Sequence, residues 1–330
     1  MYMHVIGTRF TDKHGLFSKA ATRRFLKQAD AYDPDALWLH NIHGYYINYE
    51  LLFDWIKKRP AMSVKWTLHD CWTFTGHCAH YMYVGCDKWK LMPDVPDVTH
   101  CGSCPLKKQY PASILADNSR DNYLRKKNAF TGIPDMTLVS PSKWLAGEIK
   151  QSFMSGYPVE VSYNTIDKDI FKPASGDFRS KHGIIDEEFM ILAVSGVWHE
   201  RKGLCDLLRL SDMIKEKCLK MRLVIVGLTH KQAVSINRDH PEVICIEHTE
   251  SPAELAEIYT AADAFINPTY EDNYPTVNLE AESCGTPVIT YDTGGCAETV
   301  HRPDSRVIKQ DVRSLFNELE SAYENKVTKA

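Results

Sequence analysis

Two carboxylates stand eight positions apart, Asp272 and Glu280, in the stretch NPTYEDNYPTVNLEAESCGTPVITYDTGG of residues 267–295. The stretch reads as a strand ending near Pro268, a polar loop, and a helix that begins near Thr276 and is closed by Gly285. Asp272 then lies on the loop and Glu280 one turn inside the helix. A helix start offers N–H groups without intrahelical partners and a positive dipole end, which suit a diphosphate. Carboxylates on either side of a phosphate held there can grip sugar hydroxyls. Upstream, in SGVWHERKGLCDLL (195–208), a glycine turn after a strand is followed by Arg201 and Lys202 just before another helix. Cations at that place can stabilise the charge that develops on a departing diphosphate.

Two further groups of residues have chemical potential. His69 and Asp70 end the strand VKWTLHD, and His40 and His43 sit in HNIHG after the apolar run ALWLH. Strand ends are where α/β folds place their sites. Of the ten cysteines, five fall between Cys71 and Cys104. Cys78, Cys86, Cys101 and Cys104 are separated by seven, fourteen and two residues. The close pair in HCGSC is half of a zinc-type ligand set, with His77 and His100 as alternates, and packed reduced thiols as the alternative to a structural zinc. The remaining cysteines, Cys205, Cys218, Cys245, Cys284 and Cys296, read as small hydrophobes.

The elements that would position these residues alternate between strand and helix, which predicts parallel sheets and an α/β class. ALWLH predicts a short buried strand, YELLFDWIKKR an amphipathic helix, and VKWTLHD the next strand. Residues 71–113 interrupt the rhythm with a Cys-, His- and aromatic-rich excursion too long for an ordinary connection. MTLVSPS, KWLAGEIKQSFM and VEVSYN restore it. The boundary between two domains falls between Pro158 and Pro173, giving 1–160 and 161–330. In the second, FMILAVSGVW, MRLVIVG, VICIEH, DAFINPTY and TPVITYDTGG read as strands. GLCDLLRLSDMIKEKC, SPAELAEIYTAA (capped by Ser251) and LFNELESAYENK read as helices.

Length and composition bound the functions. A chain of 330 residues with 44% hydrophobic content supports two domains. No apolar run is long enough to span a bilayer and the start lacks the build of a signal peptide, so the expected compartment is the cytoplasm. Residues 1–165 hold 20 Lys and Arg against 15 Asp and Glu, a net of +5, and residues 166–330 hold 19 against 28, a net of −9. Nothing approaches the basicity of a nucleic-acid binder.

Residues 267–295 resemble the acidic motif of retaining glycosyltransferase family 4, which has the GT-B fold. In that family two acidic residues are separated by seven others and followed by a phrase like EAMACGTPV; this chain reads D-NYPTVNL-E and then AESCGTPV. Lys202 matches the family's phosphate-binding lysine. The arginine usual five residues earlier is replaced by Val197, with Arg201 close by. VSYNTIDKDIFKP (161–173) resembles the linker phrase Asn-Gly-(Val/Ile)-Asp, with Thr165 for the glycine, so Asn164 and Asp167 read as hinge residues. HNIHG is similar to a phrase in bacterial polysaccharide-assembly members.

The resemblance implies two facing Rossmann-like domains: a first, acceptor-side domain, with the Cys-rich insertion at 71–113, and a second that binds the donor. It implies catalytic roles for His69, Lys202 and Asp272. It implies donor contacts from Gly196, Arg201, Lys202, Glu271, Asp272, Asn273, Tyr274, Pro275, Thr276, Val277 and Glu280, and an acceptor side at His40, His43 and Asp70. Within that set Asp272 would meet the donor sugar, with Glu271 as the alternative, and Glu280 the ribose. The implied activity is retaining sugar transfer without a metal, from a UDP- or GDP-sugar to a glycan or lipid-linked acceptor. It belongs to bacterial surface polysaccharide synthesis, in the cytoplasm or peripherally at the inner face of the membrane. The family's opening strand, glycine-rich loop and helix find no counterpart before residue 16, so the first domain is expected to be incomplete. A nucleotide-sugar epimerase or a non-catalytic GT-B scaffold are the rival readings.

Overall fold

The computed structural model describes residues 2–91 and 99–328. The chain divides into two units, Met1–Tyr163 and Asn164–Ala330.

Unit 1 opens with α1 (Tyr2–Thr11) and α2 (Lys19–Tyr32), followed by β1 (Ala36–His40), α3 (Tyr49–Lys57) and β2 (Ser63–Thr67). The excursion comes next, with one short 3-10 turn at Met82–Val84; its residues 92–98 lie outside the described residues. α4 (Ser119–Phe130), β3 (Met136–Ser140), α5 (Lys143–Lys150) and β4 (Val159–Val161) complete the unit. The four strands lie in chain order, β1-β2-β3-β4, all parallel. Helix starts are fixed locally: the Asn48 side chain accepts from Leu51 N–H, and the Ser142 side chain from Leu145 N–H. One aromatic core joins Phe53 of α3, Trp66 of β2 and Phe130 of α4 to Trp72 and Phe74 of the excursion, all fully buried. Each such side chain is worth roughly 1.5–3 kcal/mol of burial, so the excursion is anchored by packing rather than by secondary structure.

Two expectations for unit 1 change. β1, expected to be buried, is an edge strand among the described residues, with Trp38 63% exposed; the apolar run that suggested a buried strand has a described partner on one side only. Residues 2–11, for which no element was expected, are helical.

Unit 2 contains α6 (Phe178–Lys181), β5 (Phe189–Val194), α7 (Leu204–Glu216), β6 (Met221–Val226), α8 (His230–Asp239) and β7 (Ile244–Ile246). It continues with α9 (Pro252–Ala261), β8 (Ala264–Asn267), α10 (Thr276–Ser283), β9 (Val288–Tyr291), β10 (Arg306–Ile308) and α11 (Val312–Val327). The parallel sheet has the order β10-β9-β8-β5-β6-β7. The chain winds outward from β5 in one direction through β6 and β7, then returns to β8 on the other side of β5 and winds outward again. That is the doubly wound order, and its switch point lies between β5 and β8.

The strand sequences follow from burial on both faces. Phe189, Ile191 and Ala193 enter one core with α7, α8 and α11, whereas Met190 and Leu192 enter a second with α9 and α10. A strand covered on both sides reads as a continuous apolar run, as FMILAV and MRLVIV do. α6, α8 and β10 were not foreseen. Among the described residues, no helix is long and apolar enough to cross a membrane.

Candidate functional site

The switch point assembles the first group. The chain leaves β5 through Ser195 and Gly196 and makes a 3-10 turn, Glu200–Lys202, before α7. It leaves β8 at Asn267 and runs through Pro268–Pro275 into α10. These two segments lock together. Gly203 has φ +77°, and a Cβ there would stand 2.1 Å from the Pro268 carbonyl oxygen. Gly294 has φ +53°, and a Cβ would stand 2.0 Å from the Asp272 carbonyl oxygen. Only glycine fits either place, and between them they clamp the loop that carries Asp272. The backbone N–H of Tyr270 donates to the Arg201 carbonyl at 2.7 Å, and that of Gly295 to the Asp272 carbonyl at 3.0 Å.

Lys202 Nζ meets Asp272 Oδ2 at 2.5 Å, although the two are 70 positions apart. Both side chains are about one-fifth exposed, so the pair is only partly shielded from solvent. The Arg201 guanidinium donates to the Glu271 carbonyl and braces the same loop. Glu271 itself is buried. The N–H of Asn273 donates to Asp272 Oδ1 at 2.8 Å, which fixes the carboxylate's orientation. Asn273, Tyr274 and Pro275 follow as buried residues leading into α10.

α10 begins at Thr276 behind Pro275, which supplies no side-chain cap. Its first-turn N–H groups, those of Thr276 and Val277 among them, are therefore not satisfied by a capping side chain. Glu280 lies one turn in. Its Oε2 accepts from the Tyr259 hydroxyl at 3.0 Å. Burial raises the Glu280 pKa, and hydrogen bonds from Tyr259 and Thr276 oppose that rise. A Cβ on Gly196 would meet open space, so there is room beside the strand end. The site thus offers one cation, one helix start and two carboxylates at the carboxyl ends of β5 and β8. It can hold an anion against Lys202 and accept hydrogen bonds from hydroxyls at Asp272 and Glu280.

The second group gathers at the carboxyl ends of β1 and β2 in unit 1, as two pairs. His40 Nδ1 and His69 Nε2 are 3.0 Å apart with their rings stacked. Burial, then the neighbouring His40, lower the His69 pKa. His43 Nε2 stands 3.2 Å from Asp70 Oδ2, and its Nδ1 3.1 Å from the Tyr110 hydroxyl. Burial works against ionisation of Asp70, but the charge and hydrogen bond of His43, with His80 and the Trp72 N–H, hold its pKa at about 2. His43 also stacks on Trp72, with ring centroids 4.9 Å apart. Three residues that the sequence did not single out complete this cluster: His14, Tyr45 and Tyr110. His14 is buried against the rings of His43, Tyr45, Trp72 and Tyr110. None of the three stands in a motif; only the clustering of aromatics in HGYYIN offered a signal.

Neither hinge candidate, Asn164 or Asp167, enters the switch-point site. Asn164 lines a cavity of about 350 Å³ with Thr165, Tyr274 and Arg302, and Asp167 accepts from the N–H of Asp169 at 2.9 Å.

With this geometry in hand, comparison with known proteins defines the class. The chain covers 92% of its length on Anabaena HepE solved in complex with UDP, and 72% of that chain, at a TM-score of 0.62 and 14% identity. The fold is GT-B, two Rossmann-like α/β units in one chain. The family model for glycosyl transferases group 1 matches residues 188–325. That match lies within unit 2, and the switch-point residues fall inside it. Two relatives extend the likeness. The putative colanic acid biosynthesis glycosyl transferase WcaC of Escherichia coli is 21% identical over 291 residues, which is 84% of this chain and 65% of that protein. The capsular polysaccharide biosynthesis glycosyltransferase CapM of Staphylococcus aureus is 24% identical over 152 residues, 42% of this chain and 39% of that protein. The chain thus spans less than two thirds of the length of either relative.

Proposed function

We propose that this chain transfers a sugar, with retention, from a UDP- or GDP-sugar to a glycan or lipid-linked acceptor in bacterial surface polysaccharide synthesis. The observation that carries the reading is the meeting of Lys202 with Asp272 at the switch point, beside a helix start that no side chain caps. The Asp272 carboxylate pairs with Lys202. A nucleoside diphosphate sugar would take over Lys202 with its phosphates and leave Asp272 to accept from sugar hydroxyls. Glu280, held by Tyr259, would accept from the ribose. The α10 N–H groups and Lys202 would then face the charge that grows as the bond between anomeric carbon and phosphate oxygen breaks. The acceptor oxygen attacks on the same face, and its proton passes to the departing phosphate oxygen. No side-chain nucleophile and no metal is needed for that step.

His69, His40, His43 and Asp70 would serve the acceptor. The polysaccharide context rests on WcaC and CapM, and the uridine option on HepE, which has been solved with UDP and with UDP-glucose. A lipid-linked acceptor would bring the protein to the cytoplasmic face of the membrane. Calorimetry of the full chain with UDP, GDP and adenosine diphosphate tests the reading. Binding of UDP or GDP in the micromolar range is expected. No heat from either at millimolar concentration would overturn it.

A further inference from the structure

The cysteines of the excursion in unit 1 are not used by sugar transfer. Cys78, Cys86, Cys101 and Cys104 come from three separate turns of the chain, yet all four line one cavity of about 20 Å³. Cys78 is buried and the other three are half-buried. A space of that size holds one water or one bare ion and nothing larger. We propose that these four thiols bind a single zinc ion as a tetrahedral tetrathiolate that staples the excursion to the core of unit 1.

The local structure is built for it in several ways. Cys78 and Cys104 already share a sulfur–sulfur hydrogen bond. Tetrahedral coordination with Zn–S near 2.3 Å requires sulfurs roughly 3.8 Å apart, which is close to the spacing of such a bond. The Leu106 N–H bonds to the sulfur of Cys104, and the Gly76 N–H to that of Cys101. The turn between the close pair is folded back on itself, with Gly102 at φ +141° and Ser103 at φ +49°. Gly76 packs so closely that a Cβ would stand 2.9 Å from Cys101 Cβ and 2.2 Å from the Ser119 carbonyl oxygen, which holds Cys101 at the cavity wall.

His77 also lines the cavity, but its ring is committed elsewhere. Its Nδ1 meets Asp12 Oδ1 at 2.5 Å and its Nε2 the Gln109 carbonyl at 3.4 Å. The fourth ligand is therefore a thiol and not this imidazole. Among the described residues, no three Cys, His, Asp or Glu side chains already stand at the separations a bound ion imposes. Binding draws the half-buried thiols inward around the Cys78–Cys104 pair, and each gives up its proton to solvent. A tetrathiolate with Zn²⁺ has net charge −2. The fully buried Lys126 stands close enough to Cys78 and Cys101 to interact electrostatically, and its single charge would offset half of that at most. The excursion has one 3-10 turn among its described residues, and small segments with little secondary structure are those that a metal staples.

The test uses the full chain, purified under reducing conditions without chelator. Elemental analysis is expected to give about one zinc per chain, retained on dialysis and released by an organomercurial. Replacing the zinc by Co²⁺ should produce the thiolate-to-cobalt charge-transfer absorption and intense visible bands of tetrahedral coordination, a readout that needs no variant to fold. Cys86→Ser and Cys104→Ser should each lose the metal or the band, whereas Cys205→Ser, exposed in unit 2, should keep both. Three results would overturn the proposal. The first is less than a tenth of an equivalent of zinc in metal-replete expression. The second is a Cys78–Cys104 disulfide found by mass spectrometry. The third is zinc that dialysis removes, an adventitious ion only.

Discussion

Unit 2 winds in both directions away from β5, and unit 1 winds in one, from β1 to β4 in chain order. The difference decides how each places its chemistry. In unit 2 the crossing from β7 back to β8 leaves a crevice at the strand ends, and backbone features fill it: a helix start, two obligatory glycines, and the loop they clamp. Its charged residues are few and their positions are dictated by the fold. Unit 1 has no such reversal among its described strands. Its chemical groups at the strand ends are side chains that hold one another, His40 on His69 and His43 on Asp70, within a box of aromatic rings. One site is made by topology and the other by packing, so they should fail differently.

The largest effect should come from Lys202. Lys202→Ala is expected to lower transfer by about 10²–10³-fold, the range for loss of one donor to a developing oxyanion. It should also weaken UDP or GDP much more than free nucleoside. His43→Ala, the counterpart in unit 1, should reduce transfer by only about tenfold, through the acceptor's KM, and leave calorimetric UDP binding unchanged. If His43→Ala lowers nucleotide affinity as much as Lys202→Ala does, the separation of the two sites is wrong.

Unequal legibility in the sequence has the same physical origin. The run FMILAV declared a strand, and the Thr276 start and Gly285 end of α10 were readable from local chemistry. α8 was missed because HKQAVSINRD buries only Ala233 and Ile236, although the Thr229–Gln232 capping box marks its start. β10 was missed because it is three residues long at the sheet edge, two of them exposed. Asp272 and Glu280 were visible as a motif. That Lys202 pairs with Asp272, or that Tyr259 holds Glu280, depends on strand order and on helix packing across 70 and 21 positions, which no local pattern encodes. In unit 1, His40, His43, His69 and Asp70 were legible from their strand-end positions, whereas His14 and Tyr110 reach the cluster only through tertiary packing.

The two carboxylates of unit 2 should separate from one another. Glu280→Gln is expected to weaken nucleotide and nucleotide-sugar alike, by roughly ten- to a hundred-fold, since a hydrogen bond to a charged group is worth about 1.5–3 kcal/mol. Asp272→Asn should lower transfer roughly ten- to a hundred-fold. It should leave UDP binding intact or tighter, because it releases Lys202 from its ion pair. Glu271→Gln should change neither, because the Glu271 side chain is fully buried. Tighter transfer-state binding through Glu271, seen as a larger loss of transfer in Glu271→Gln than in Asp272→Asn, would reassign the sugar contact.

The smallest effect concerns stability, and it belongs to unit 1 alone. His4 Nε2 accepts from the Gly15 N–H at 3.0 Å, and its Nδ1 bonds to the Ser18 hydroxyl at 2.8 Å. Protonation of Nε2 would remove the first bond, and burial above all lowers the His4 pKa from 6.5 to about 4. Burial, followed by the charges of His43 and Lys126, drives His14 well below 6.5 as well. Both imidazoles are neutral in the folded state and take up protons on unfolding. Their contribution is therefore intact above pH 6.5 and is lost as pH falls from 6.5 towards 4. His77 acts in the opposite sense: burial lowers its pKa, but the hydrogen bond and charge of Asp12 outweigh that and raise it, which works against the loss. Thermal melts between pH 7.5 and 5 should show unit 1 weakening while UDP still raises the melting temperature of unit 2. His14→Phe keeps the ring contacts with Tyr45, Trp72 and Tyr110 and removes the titration. Both His14 ring nitrogens lack a hydrogen-bond partner among the described residues, so the change should be neutral or stabilising by about 1 kcal/mol. It should also flatten the acid slope. An unchanged slope in His14→Phe would mean that folding does not shift the His14 pKa, whereas a steeper one would mean that His14 is protonated in the fold and that the aromatic box is a cation site.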